Sequence, residues 1–312
     1  MRIIVVLVVV ALAGLGLAAS AGANSPLDPG CDVADLTTAI ELANAVPDST
    51  ITLARHCTYT LTDPSTASSD DGLPPITANM TIDGNGARIV RAATAAQFRL
   101  LEIQSSHSVT INSLTLSNGH APDGSNSAGE DGGAILNQGT LTLNRVKLTG
   151  NTAGTGGVDV LPLSAGGGGA IANTGTLTLF RVKIAGNHAG AGATSAGFGG
   201  QGGSGGGIQS SGPLVVKRSL ITHNFAGAGG PGMLPGSGGN GGGLDVTSGP
   251  VSISATTITR NHAGPAAAQG SPGGGGGIDN ETGSTIRPRR TKIVHNKPDN
   301  CEPAHSVAHC RH

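Results

Sequence analysis

The sequence predicts an all-β chain wound into a right-handed parallel β-helix solenoid, and three recurring features predict it. A Gly-Gly pair, directly or after one alanine, leads into an aliphatic residue five times, at Ile135, Ile171, Ile208, Leu244 and Ile278, spaced 36, 37, 36 and 34 residues apart. An asparagine closes each unit, at Asn151, Asn187, Asn224, Asn261 and Asn296, spaced 36, 37, 37 and 35. Between these landmarks lie alternating runs such as Thr140-Leu141-Thr142-Leu143 and Val182-Lys183-Ile184, the period-two pattern of strands with one buried face. Two landmarks that keep one period mark a repeat architecture rather than low-complexity drift.

Each unit follows from its residues. Gly-Gly before the aliphatic suits a corner too tight for a side chain. The closing Asn can adopt left-handed dihedrals and hydrogen-bond the backbone, which also suits a corner. Three short strands and their corners make a coil of about 22 residues, and stacking at ~4.8 Å pairs each strand in parallel with the next. Asn118, Asn151, Asn187, Asn224, Asn261 and Asn296 are then expected to form one corner ladder. The Gly/Ala/Ser/Pro-rich remainders, 153–167, 189–205, 226–241 and 263–275, must leave the coil as loops on one shared edge. Those corners and loops account for the 53 glycines without invoking disorder.

Upstream the pattern degenerates. Thr50-Ile51-Thr52-Leu53 and Met80-Thr81-Ile82 read as strands, Asp83-Gly84-Asn85-Gly86 as a turn, and 108–118 as nearly a full repeat. These bring the expected total to about eight coils over residues 76–300 and the segment before them. In 32–46, Leu36, Ala39, Ile40 and Ala43 fall on one helical face, so a short amphipathic helix is expected to cover the open end of the first coil. The region 31–60 reads as N-terminal cap and first coil, and 301–312 as C-terminal cap.

The first 23 residues read as a secretory signal peptide: Arg2, an apolar run from Ile3, then small residues at Ala19-Ser20-Ala21 and Ala21-Gly22-Ala23. That run is diluted by Gly14 and Gly16, against the roughly 20 apolar residues a spanning helix needs. The mature chain, 24–312, is expected to be a single secreted, monomeric domain with no membrane insertion. Four cysteines allow three pairings, and sequence alone does not choose. The economical pairing joins neighbours, Cys31 with Cys57 and Cys301 with Cys310, because an end-to-end bridge would need the solenoid termini to meet. Cys301, His305, His309 and Cys310 have spacings that could suit zinc on a helix, but an exported chain favours the disulfide.

The Gly-Gly-Ala-Ile and Ile/Leu-x-x-Asn elements resemble the repeats of polymorphic outer-membrane-type proteins and of bacterial pectate-lyase-like β-helix proteins. The order Cys31, amphipathic helix, Ile51-Thr52-Leu53, Cys57-Thr58-Tyr59-Thr60-Leu61, Leu73-Pro74-Pro75-Ile76, Thr81-Ile82-Asp83-Gly84-Asn85-Gly86 is similar to the opening of secreted bacterial right-handed β-helix repeat proteins. The resemblance implies the fold. It does not select a function, because that architecture serves lyases, hydrolases and adhesins alike. Polymorphic membrane proteins continue into a C-terminal β-barrel, whereas this sequence stops at His312, so self-transport through an outer membrane is not expected.

Chemistry is sparse. Charge is balanced at 18 basic against 19 acidic residues with no run of either sign, so neither nucleic acid nor an anionic membrane is an expected partner. With no Trp, one Tyr and four Phe there is no aromatic platform for sugars; Phe98, Phe180 and Phe225 read as core or corner filling. A pectin-cleaving enzyme would cluster carboxylates for Ca²⁺ or acid–base work. The candidates are Asp70-Asp71, Asp83, Glu102, Glu130-Asp131 and Asp159, of which Asp70-Asp71 and Glu130-Asp131 read as loop charge and Asp83 as a structural turn. Asp245 and Asp279 align in adjacent units and could hold a cation, with simple exposure the plainer reading. His188 and His262 follow corner asparagines whereas His223 and His295 precede them, which argues against a metal-binding imidazole ladder. No catalytic residue, cofactor or metal is assigned, and Ca²⁺ enters only with the enzyme alternative. The expected function is non-catalytic binding of an extracellular polysaccharide or surface protein through the stacked Gly-rich loops. The alternative is a lyase or glycoside hydrolase acting on acidic glycans.

Overall fold

The computed structural model describes residues 27–158 and 163–310; the leader expected at 1–23 and the candidate Asp159 lie outside the described residues. The described chain is a parallel β-solenoid of three sheets with seven, eight and seven strands, against the about eight coils expected. The first sheet runs from Ser49–Thr52 to Val251–Ser254, the second from Thr58–Leu61 to Lys292–Val294, and the third from Leu101–Ile103 to Cys301–Glu302. One full coil takes a strand from the third sheet (Ile171–Asn173), one from the first (Thr176–Phe180) and one from the second (Lys183–Ala185). The next coil repeats them in register, so that Ile171 meets Ile208, Leu177 meets Leu214 and Ile184 meets Ile221. These aliphatic columns point inward and are fully buried. Each such side chain contributes about 1.5–3 kcal/mol of burial, which lets a core form almost without aromatic residues.

One helix precedes the solenoid, α1 (Val33–Ala45). Asp32 caps it by accepting the Ala34 N–H at 2.7 Å, and Leu36, Ala39, Ile40 and Ala43 are buried against the first coil. Two ties hold this cap: the Cys31–Cys57 disulfide, and buried Tyr59, whose hydroxyl donates to the Gly30 carbonyl at 2.7 Å. The second disulfide, Cys301–Cys310, closes the last coil. Two disulfides fit an oxidising compartment. Among the described residues no helix is long and apolar enough to cross a membrane.

Corner asparagines form a buried ladder. The backbone N–H and Nδ2 of Asn187 both donate to Oδ1 of Asn224, at 3.0 and 2.8 Å, and Asn224 repeats this toward Asn261 at 3.0 and 2.9 Å. Each Nδ2 also reaches a carbonyl of the coil behind, Leu148 for Asn187 and Ile184 for Asn224. The ladder runs from Asn151 to Asn296 and ends on Asn300, whose Oδ1 takes the last two bonds. Two expectations need correction. The left-handed residue is the one before each rung (Gly150, Gly186, His223, Arg260, His295), with φ between 53° and 66°. Asn118 belongs to that column, with φ 60° and an exposed side chain, and contributes no rung. Its neighbour Gly119 takes the rung position and donates its N–H to Asn151. A second, shorter ladder, Asn137 to Asn173 to Ser210, backs the corner between the third and first sheets.

The Gly-rich segments do leave on one edge, but as an ordered layer. The segments 189–205 and 226–241 each go out and return as two limbs, and single glycines link the limbs in one continuous line. Gly190 N–H reaches Gly166 O at 2.9 Å, Gly203 reaches Gly190 at 2.9 Å, Gly227 reaches Gly203 at 2.8 Å and Gly239 reaches Gly227 at 2.8 Å. Buried positions recur every third residue (Gly227 and Gly230 outward, Gly236 and Gly239 inward), the period of an extended three-residue-per-turn helix. Such a helix has no internal hydrogen bonds, so its donors are free for neighbours. Only glycine allows this approach: a Cβ on Gly227 would lie 1.7 Å from the Gly190 carbonyl oxygen.

Asn224→Ala is expected to cost about 2–5 kcal/mol, because it strands the N–H and amide of Asn187 together with the carbonyls opposite; thermal melts followed by circular dichroism measure it. Gly227→Ala should likewise lower the melting temperature, while Gly197→Ala, with nothing within 4 Å of its Cβ, should leave it unchanged. Equal effects of the two alanines would remove the glycine layer from the stability account.

Candidate functional site

In-register stacking sums charges that are scattered in sequence. The corner between the first and second sheets reads Asn144-Arg145-Val146-Lys147, Phe180-Arg181-Val182-Lys183, Lys217-Arg218-Ser219-Leu220, Ser254-Ala255-Thr256-Thr257 and Arg289-Arg290-Thr291-Lys292 on successive coils. Arg145, Lys147, Arg181, Lys183, Lys217, Arg218, Arg289, Arg290 and Lys292 are all exposed, and among the described residues none forms a salt bridge. No Asp or Glu occurs in these five segments. The expectation that basic residues make no patch is therefore corrected: half of the 18 Lys and Arg line one ridge.

The backbone under the ridge is unusual. Arg145, Arg181, Arg218 and Arg290 have φ of 56°, 56°, 52° and 51°, where an L side chain costs about 1–2 kcal/mol. At another corner the same left-handed turn is made by glycine on five successive coils: Gly132, Gly168, Gly205, Gly241 and Gly275. Phe180 lies among the arginines, with the guanidinium of Arg181 5.0 Å and that of Arg218 5.7 Å from its ring centroid. Beside it a groove of about 650 Å³ is lined by Phe180, Lys217, Arg218, Arg289 and Arg290, with Ser254 and Ala255 between them. Such a row of unneutralised cations, interrupted only at the coil of Ala255, can hold a linear polyanion.

The acidic candidates converge in two other places. Arg99, 2 % exposed, pairs with Asp71 at 2.9 Å and Glu130 at 3.0 Å and donates to the Asp131 carbonyl at 2.9 Å. Burial raises the pKa values of Asp71, Glu102 and Asp131 above the usual carboxylate range. Asp71 is thus a buried partner of Arg99 rather than loop charge, which corrects its sequence reading. With its guanidinium enclosed and its donors engaged, Arg99 is unsuited to abstracting a proton from a polymer in solvent. Asp83, by contrast, accepts from Asn112 at 2.7 Å in a structural stack with Asn144.

The second place is the outward column of the third sheet, where Gln209, Asp245, Asp279 and Glu302 stand on successive strands. Asp245 and Asp279 are 1 % and 2 % exposed, not simply exposed as the plainer reading had it. Glycines pack against this column: a Cβ on Gly241 would lie 2.6 Å from Cβ of Asp245. Burial first, then the neighbouring acids, push the carboxyls of Asp245 and Asp279 up to about 7 each. Histidines are not brought together as a metal ladder. His188, Phe225 and His262 stack face to face at 4.8 and 5.0 Å, while His223 and His295 sit in the left-handed column. Burial lowers the pKa of His188 and, with nearby Lys297 and His223, that of His262.

Comparison with known protein families, with curated proteins and with solved structures finds no match to this chain. Functional reading therefore rests on the surface itself. The ridge was visible in principle, since aligning the repeats places Arg145, Arg181 and Arg218 in one column. The Arg99 cluster had no such signal, because its members come from degenerate coils and a loop.

Stability should carry the imprint of the stacked acids. Their folded pKa of about 7 lies above the ordinary 3.8, so the native state keeps protons that the unfolded chain releases. That stabilisation is complete below about pH 4 and is lost as pH rises toward 7 and beyond. In chelator-treated buffer the melting temperature should fall from pH 5 to pH 8, and Asp245→Asn with Asp279→Asn should flatten the fall. A slope unchanged by the double variant would assign it to other groups.

Proposed function

We propose that this protein is a non-catalytic, secreted solenoid that binds an acidic polysaccharide lengthwise along its Arg/Lys ridge. The observation that carries the reading is the arginine column at left-handed corners. Glycine would fit that backbone at lower cost, so four arginines in it point to a role for the side chains. Arginines on three consecutive coils (Arg145, Arg181, Arg218), about 4.8 Å apart, with Arg290 beyond the uncharged coil of Ala255, suit a polymer with regularly spaced carboxylate or sulfate groups. The disulfides and the leader read at 1–23 support an extracellular setting, where such polymers occur.

Binding through the Gly-rich loops, the sequence expectation, has less support, because the limbs use their donors on one another. Only the tips remain, and Phe198, Met233 and Leu234 there are exposed and apolar. Nucleic acid is the other polyanion to consider. Single strands are usually held by aromatic stacking as well as charge. The one ring on the ridge, Phe180, has two guanidinium groups against it, which favours a sugar polymer. A pectate-lyase-like activity draws support only from sequence resemblance, since the buried Arg99 cluster offers no open acid–base pair.

Binding of polygalacturonate, alginate, heparin and single-stranded DNA, measured by calorimetry across a salt series, tests the reading. Arg181→Gly with Arg218→Gly should weaken acidic-polysaccharide binding at least about tenfold and flatten its salt dependence. The same variant should melt at an unchanged or higher temperature, because glycine relieves the left-handed strain. Undiminished binding by the variant, or binding of DNA alone, would overturn the assignment; turnover abolished by a carboxylate substitution would point to the enzyme.

A further inference from the structure

The geometry points to a site for one hard divalent cation, calcium, held by the carboxylates of Asp245, Asp279 and Glu281 on the third sheet. Asp245 and Asp279 are in-register partners on adjacent strands, and Glu281 follows two residues after Asp279. One oxygen from each of the three carboxylates lies within 4.8 Å of the others. Calcium holds its oxygens at about 2.3–2.6 Å, so two ligands of one ion stand at most about 4.6–5.2 Å apart. The cluster already meets that limit without rearrangement.

A second observation is independent of the clustering. Asp245 Oδ1 and Asp279 Oδ2 are enclosed and have no hydrogen-bond partner. Buried polar atoms without partners are rare in folded proteins, and an ion is one of the few things that accounts for them. Among the described residues no cation supplies the missing interaction. The charged neighbours of the pair are Glu281 and Glu302, both acidic, and Gln209 reaches Asp245 only with its amide nitrogen, at 3.3 Å. Glu281 and Glu302 beside the pair are exposed, so the cluster borders solvent.

Donor chemistry selects among ions. The cluster is all oxygen and anionic, with no His or Cys, which disfavours zinc and copper. Magnesium needs near-ideal octahedral order at about 2.0–2.1 Å and gives up its water reluctantly, so a cluster made wholly of protein carboxylates favours calcium. Bound calcium would join two coils on the third sheet, just after the glycine layer re-enters the coil, acting as a staple. The site is separate from the basic ridge, and neither proposal depends on the other.

The test uses the full chain, stripped with chelator at neutral pH and titrated with calcium chloride by calorimetry, with parallel thermal melts. One calcium per chain and a rise in melting temperature are expected. Asp245→Asn with Asp279→Asn should bind none and should melt no lower than the metal-free protein, since it removes a buried like-charge pair. Glu281→Gln, on an exposed residue, should weaken calcium at least about tenfold, and the metal-free protein should melt no lower, because a like charge beside the pair is removed. No heat and no shift at millimolar calcium would overturn the site. So would a calcium response unaltered in the Asp245→Asn, Asp279→Asn variant, or an equal response to magnesium.

Discussion

The hydrogen bonds from one corner asparagine to the carboxamide oxygen of the next fix how each turn sits on its neighbour. A strand alone tolerates slippage, and moving it by one residue would turn every inward aliphatic out to solvent. The buried carboxamide removes that freedom, since its Oδ1 accepts two donors from the coil behind while its Nδ2 serves that coil's carbonyl and the coil ahead. A slipped coil would leave all four groups buried and unpaired, at about 1–3 kcal/mol each. The inward aliphatics supply most of the stabilisation. The asparagines decide which stacking is allowed, and every other column in the molecule inherits that choice.

Once register is fixed, any residue type that recurs with the repeat becomes a column, and burial decides what a column of like charge can do. Unit charges ~4.8 Å apart repel by only about 1 kcal/mol in water and by several times more where the medium is less polarisable. The arginines stand in solvent, keep their charge and sum to a positive ridge. Asp245 and Asp279 have the same vertical spacing but lie beneath the surface, and they respond by holding protons until about pH 7. One stacking rule thus gives a charged surface in one place and a pair of nearly neutral acids in another. Neither outcome depends on net charge, which is close to zero.

Much of the fold was legible because the repeat prints it. Gly-Gly-Ala-Ile and the closing Asn mark the coil, and Leu36, Ala39, Ile40 and Ala43 mark the capping helix on the face that is buried. The errors have local causes. Asn118 precedes a glycine where later coils place glycine or another residue before asparagine, as in Asn118-Gly119 against Gly150-Asn151, and a reading by residue type alone slips by one. The Gly-rich segments looked featureless because their regularity lies in a three-residue spacing and in bonds between limbs. Burial of Asp71, Asp245 and Asp279 was not legible at all. It depends on a loop or a neighbouring glycine coming close, which no strand pattern encodes.

Left-handed corners separate what the backbone requires from what the side chains are for. At Gly168, Gly205, Gly241 and Gly275 an added Cβ would lie 2.3 to 2.6 Å from the nearest atom of the turn, so crowding as well as φ demands glycine. At Gly186 nothing lies within 4 Å, and the same column accepts His223, Arg260 and His295 on later coils. Open corners therefore tolerate a side chain at a conformational cost of about 1–2 kcal/mol. In the ridge column that cost recurs at Arg145, Arg181, Arg218 and Arg290, with no glycine at any coil from Ser113 to Arg290. None of these four guanidinium groups forms a salt bridge among the described residues, so no ion pair within the fold offsets the strain. Arg181 and Arg218 lie over the Phe180 ring; for Arg145 and Arg290 no such contact occurs among the described residues, and their outward charge is the property left to set against the strain.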